Sequence, residues 1–173
     1  IAGFIVIVPV LIIGLLTAKQ SIPVQATDLQ GLYFSEPLLS HLLASIIGVN
    51  LDFGSINPFW AAAWIGMLVT SLNLIPSGQL DGGHAIYSIF GERIHLWTGR
   101  IAFVAMASFS VLGWFLYSSP SGLLFTILLG VMMRVRHPEP LTDAPLNRTR
   151  KIVAVLTLLI FIFCFVPFPI QVR

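Results

Sequence analysis

Residues 58–83 read PFWAAAWIGMLVTSLNLIPSGQLDGG, an apolar run that ends in proline, three glycines and one acid. No charged side chain interrupts Pro58 to Ile75. At about 1.5 Å per residue, roughly 20 apolar residues cross a bilayer, and fewer suffice where protein lines the path. Asn57 stands where a helix cap is needed, and Pro58 falls at the first helical position, where a missing N–H costs nothing. Pro76 has no N–H to give the carbonyl of Leu72, so the helix must break there. Gly78, Gly82 and Gly83 allow backbone shapes that other residues resist. The stretch therefore predicts a membrane helix broken over Asn73–Asp81.

The rest of the chain agrees with a lipid environment. Hydrophobic residues make up 57% of the 173 and charged residues 9%, against about 25% charged in a soluble domain. Four further stretches have span character: Ile1–Thr17 with a kink expected at Pro9, Ile101–Tyr117, Pro120–Val135 and Lys151–Phe168. Pro120–Val135 is short for a full crossing. Pro37–Val49 is shorter still and reads as an interfacial or re-entrant piece. The expected fold is all-α, a polytopic transmembrane bundle of about five spans, forming one membrane domain over residues 1–173. The chain opens apolar at Ile1 without Met or a basic leader, so Ile1–Leu16 reads as the remainder of a membrane helix and the chain as a fragment.

Charge sets an expected orientation. The segment 134–151 holds Arg134, Arg136, Arg148, Arg150 and Lys151 against Glu139 and Asp143, which makes it cytoplasmic by the positive-inside rule. Alternation then places Pro76–Arg100 on the same side. Ala18–Asn57, with Lys19 against Asp28, Glu36 and Asp52, falls outside. Trp60, Trp97 and Trp114 lie near the predicted span ends, where interfacial tryptophans belong. No basic cluster with interleaved aromatics exists, so nucleic acid is not an expected partner. Cys164 is the single cysteine; it excludes an internal disulfide and reads as an apolar filler.

Asp81 is the group that invites chemistry. Asp-Gly is a common turn dipeptide, and Asp81 reads as a solvated turn on that basis. A carboxylate in a helix break within an apolar chain reads instead as functional, with a divalent metal as its best partner. Both readings stand on the residues alone.

The longer pattern Asn73-x-x-Pro76-x-x-x-x-Asp81-Gly82 resembles the site-2 protease family of intramembrane zinc metalloproteases. Ala2-Gly3-Phe4 resembles the end of a Gly-Pro-x-Ala-Gly segment in that family. The stretch HPEPLTDAPLNRTRKIVAVLTLLIFIFCFVPFP resembles the carboxyl end of its bacterial members. The resemblance implies that Asp81 is the third ligand of a two-His, one-carboxylate zinc site. It implies that Asn73 holds or polarises the substrate carbonyl, and that Pro76, Gly82 and Gly83 shape the loop. It implies an integral protein of the bacterial inner membrane, with Zn2+ as cofactor. The bilayer and transmembrane protein substrates would be its partners, and peptide hydrolysis in or near the membrane its reaction.

One departure is decisive. The family's His-Glu-x-x-His, which supplies two ligands and the general base, is absent: His41, His84, His95 and His137 form no pair at four-residue spacing. In the family that motif precedes the segment matched here, so the departure reads as truncation, and this stretch alone is expected to be inactive. A self-contained site from Asp81, His84 and either His95 or Glu92 is a minor alternative. His84 otherwise reads as a polar residue opening the next helix, His95 as interfacial, and His41 and His137 as exposed. The rival functions are a transporter or channel with Asp81 as a cation site, and a non-catalytic membrane scaffold.

Overall fold

The computed structural model describes residues 2–18, 32–49, 51, 57–134 and 147–172. Within them lie seven helices in chain order: α1 (Ala2–Ala18), α2 (Leu38–Ile47), α3 (Pro58–Asn73), α4 (Asp81–Phe90), α5 (Glu92–Tyr117), α6 (Ser121–Arg134) and α7 (Arg148–Cys164). Two short strands, β1 (Leu32–Phe34) and β2 (Ile170–Val172), pair antiparallel with Tyr33 opposite Gln171. The architecture is all-α apart from this ribbon, which the sequence reading did not foresee.

The pairing of α1 with α3 is built on one asparagine. The Asn57 Oδ1 accepts from the Trp60 N–H at 2.8 Å, capping α3. Its Nδ2 donates to the Gly14 carbonyl of α1 at 2.7 Å. Gly14 permits the approach, since a Cβ there would lie 2.7 Å from the Trp60 nitrogen. Asn57→Ala therefore removes a cap and an interhelical bond together. We expect a loss near the upper end of the about 0.5–2 kcal/mol typical for caps, read as a lowered thermal midpoint in detergent.

Behind this junction a core forms from Leu11 and Leu15 of α1, Trp64 and Met67 of α3, Ala44 of α2 and Cys164 of α7. Trp60 stacks on Trp64 at 6.5 Å between ring centroids and is 7% exposed. It is a core residue, which corrects its interfacial reading. Trp97 and Trp114 are exposed. Cys164 is fully buried, as an apolar filler would be. A second core joins Ile75 to Met106 of α5 and to Phe125 and Leu129 of α6, and Leu68 and Phe161 pack against both.

The ribbon is tied to α3 and to the turn between α5 and α6. The indole Nε1 of Trp64 donates to the Ser35 carbonyl at 2.8 Å. The Ser35 N–H reaches the Pro169 carbonyl at 2.9 Å, and Ser119 donates to the Ile170 carbonyl.

One expectation about spans is corrected. The helix expected from Ile101 begins at Glu92, so α5 carries Arg93, His95 and Arg100 within it. The chain runs helically through Pro9 in α1. Among the described residues α5 is the one helix long and apolar enough to cross a membrane, while α1, α2 and α6 are shorter apolar helices. Of the charges used for orientation, Lys19, Asp28, Asp52, Arg136, Glu139 and Asp143 lie outside the described residues, as does His137.

Candidate functional site at the break between α3 and α4

Helix α3 ends at Asn73 and α4 begins at Asp81, the limits expected for the break. The last turn of α3 closes with the Leu74 N–H on the Thr70 carbonyl at 3.0 Å. Beyond it, Pro76 lacks an N–H, and the chain turns with Ser77 N–H on Ile75 O at 2.7 Å and Leu80 N–H on Ser77 O at 3.3 Å. Gly78 takes a positive φ of 55°, a region that glycine enters without steric cost. Its α-carbon also abuts the end of α6, where a Cβ would come within 2.8 Å of the Met132 carbonyl oxygen.

The return of the chain is closer still. A Cβ on Gly82 would lie 1.9 Å from the Leu74 carbonyl oxygen, and one on Gly83 would lie 2.4 Å from that of Gly78. The residue after Asp81 thus touches the residue after Asn73. The excursion 74–80 folds back on itself and brings Asn73 and Asp81 to one junction. Both side chains are exposed there. Asp81 occupies the first turn of α4, where the partial positive charge of a helix amino end favours an anion.

His95 closes the junction from α5. It is 5% exposed, and its Nδ1 lies 3.1 Å from the Gly83 carbonyl. A carbonyl can only accept, so Nδ1 carries the proton in this contact. The Tyr87 ring meets the imidazole edge-on at 5.7 Å. This corrects the interfacial reading of His95, which is a buried strut under the glycine pair. No sequence signal marks the role, because Gly83 and His95 are twelve residues apart on different helices. Ser77 was also missed. It is fully buried under the turn, with its Oγ without a hydrogen-bond partner among the described residues.

His84 is exposed one turn along α4 from Asp81, and His41 is exposed on α2. Among the described residues no three His, Cys, Asp or Glu side chains gather where they could hold a metal. The self-contained site from Asp81, His84 and His95 or Glu92 is not assembled. Zinc takes three protein ligands in a catalytic site. The junction offers one exposed carboxylate, that of Asp81 at the start of α4. An apolar cleft of about 270 Å3 lies beside the break, lined by Ile75 and Pro76, by Ile101, Ala105 and Phe109 of α5, and by Phe161 of α7.

The helix break carries an exposed acid at one limit and an exposed amide at the other, and comparison with known proteins gives the family. Residues 1–113 match Peptidase family M50, and the chain belongs to that family. Among its relatives, the probable zinc metalloprotease EGY2, chloroplastic, of Oryza sativa subsp. indica is 38% identical over 72 residues, 40% of this chain and 13% of that protein. The probable zinc metalloprotease EGY1, chloroplastic, of Arabidopsis thaliana is 33% identical over 76 residues, 44% of this chain and 14% of that protein. The probable zinc metalloprotease EGY3, chloroplastic, of Oryza sativa subsp. indica is 27% identical over 110 residues, 57% of this chain and 19% of that protein. The chain thus spans a small part of the length of the curated relatives it matches. These relatives are plant chloroplast proteins, so the expected bacterial type and bacterial inner membrane find no support in them. No solved structure gives a significant match.

Proposed function

We infer that this chain is the carboxyl-terminal part of an intramembrane zinc metalloprotease of the site-2 type, contributing Asp81 as the third zinc ligand. The reaction is hydrolysis of peptide bonds in or near the transmembrane segments of membrane-protein substrates. The observation that carries this reading is the α3–α4 junction. Within a chain of Peptidase family M50, the residue after Asp81 returns against the residue after Asn73, and both polar side chains are exposed. The other two ligands and the general base are to come from a His-Glu-x-x-His helix outside these residues, so this stretch by itself is inactive.

The bilayer is the solvent this surface fits. Ile101, Val104, Leu124 and Ile127 are each more than 60% exposed, and Phe115 is 80% exposed. An outer surface of that kind is an aggregation liability in water and an ordinary lipid contact in a membrane. We read α1, α3, α5, α6 and α7 as about five spans of a single domain, with 134–151 on the cytoplasmic side.

The roles of the residues follow from their places. Bound by Asp81 and two histidines, zinc would polarise the scissile carbonyl and activate water. Asp81 supplies the negative charge that the ion requires, from a helix end that tolerates it. Asn73 offers an amide N–H donor to the substrate carbonyl, where negative charge develops as the bond is attacked. Pro76 and the glycines hold the two in register. The apolar cleft beside Pro76 accommodates apolar side chains of a substrate segment and keeps bulk water away.

Asn73→Ala tests this assignment in the full-length protease acting on a single-pass membrane substrate. Loss of a carbonyl donor costs about 10²–10³ in kcat. The account expects a fall of that order with KM nearly unchanged and zinc retained. An unchanged kcat would remove Asn73 from the site.

A further inference from the structure

A second cleft lies away from the α3–α4 junction, between α5 and α6. It has a volume of about 490 Å3 and is lined by Phe103 of α5 and by Ile127, Gly130, Val131 and Arg134 of α6, with Thr126 and Met133 at its sides. Ile127, Gly130, Val131 and Arg134 are spaced i, i+3, i+4 and i+7, one face of a helix. The cleft therefore runs as a groove along α6 and ends at its last residue. Its lining is apolar except at that end. The Thr126 hydroxyl is already committed, donating to the Gly122 carbonyl at 2.8 Å. Arg134 is exposed, and no ion pair or hydrogen bond to its guanidinium occurs among the described residues.

We propose that the α5–α6 groove is a binding site for an anionic phospholipid, with an acyl chain along Ile127, Gly130 and Val131 and the headgroup phosphate on Arg134. The volume falls within the about 300–1,000 Å3 range of small-molecule sites. An apolar trough with one cation at its mouth matches an amphiphile with a negative head. A zwitterionic lipid also brings a phosphate, but its own ammonium offsets that charge beside the guanidinium, whereas an anionic head leaves the full charge for Arg134. A free phosphate would leave the trough without an occupant. A guanidinium binds phosphate through two parallel N–H donors. The carboxyl end of a helix carries partial negative charge, which Arg134 offsets at that end of α6. Gly130 keeps the floor of the groove low, since a Cβ there would meet the Phe103 ring at 3.3 Å. The inference rests on α5 and α6 lying in a bilayer, but not on the zinc chemistry at Asp81.

The test is lipid retention by the full-length protein in nanodiscs of mixed phosphatidylglycerol and phosphatidylcholine, followed by detergent extraction and native mass spectrometry. Wild type is expected to keep phosphatidylglycerol in preference to phosphatidylcholine. Arg134→Gln, an exposed change that leaves the fold intact, should lower that preference about fivefold, the value of one basic contact to an anionic lipid. Gly130→Leu fills the trough and should abolish retention of both lipids while Arg134 remains. Equal retention of the two lipids by wild type would overturn the proposal. So would a preference that survives both substitutions, which would mark the bound lipid as annular. Either result leaves cleavage and zinc content unaffected, so this failure is distinct from a failure of the protease assignment.

Discussion

Asp81→Ala in the full-length protease is expected to lower zinc-dependent cleavage of a membrane substrate below a hundredth of wild type. The magnitude follows from the role. Even residues that only orient a metal ligand cost about 10–100-fold when changed, and removing a ligand itself costs at least as much. Three protein ligands are the working minimum for catalytic zinc, so two histidines alone would hold the ion weakly and misplace it. The exposure of Asp81 keeps the test clean. No core contact is lost, and the thermal midpoint should stay near that of wild type. Asp81→Asn keeps the shape and removes the charge, and should fail almost as completely. Full cleavage by either variant would return Asp81 to the rank of a solvated turn residue.

The second large effect is structural. Gly82→Ala is expected to destabilise the protein by at least the upper part of the about 1–3 kcal/mol range seen for overpacking. The new methyl would stand 1.9 Å from the Leu74 carbonyl oxygen, 2.5 Å from its carbon and 2.7 Å from the Ile75 oxygen. All three atoms are backbone, so no rotamer change relieves the clash. Either α3 or α4 must move, and the close return of the chain at Leu74 is lost with it. Gly3→Ala is the matching control. Its methyl would meet only the Thr70 hydroxyl at 3.8 Å, an ordinary contact, and alanine favours a helix over glycine by about 1 kcal/mol. Thermal unfolding followed by helical circular dichroism should separate the two variants widely. Equal midpoints would contradict the tight return of the chain at Gly82.

The break itself was legible because its causes are local. A proline that cannot donate, a capping asparagine before a proline and a cluster of glycines each act within a turn of where they stand. The cap at Asn57 and the limits Asn73 and Asp81 were therefore found from the residues. The missed features depend on distant partners. Trp60 looks interfacial until Trp64 and α1 cover it. His95 looks interfacial until α4 doubles back and sets the Gly83 carbonyl on its ring. The start of α5 was placed too late because Glu92, Arg93 and Arg100 break the apolar run without breaking the helix. The β1–β2 ribbon joins residues more than 130 positions apart, which no local pattern encodes. Asn73 and Asp81 were singled out through the family resemblance rather than by chemistry alone. A lone carboxylate carries no ligand geometry of its own, and no group of three His, Cys, Asp or Glu side chains gathers among the described residues to supply one.

The most direct measurement is the zinc content of the purified full-length protein, with and without Asp81→Ala, at matched helix content. The account predicts close to one zinc per wild-type chain and its loss from the variant on mild dialysis against chelator. Equal zinc in both proteins, held with equal strength, would contradict it.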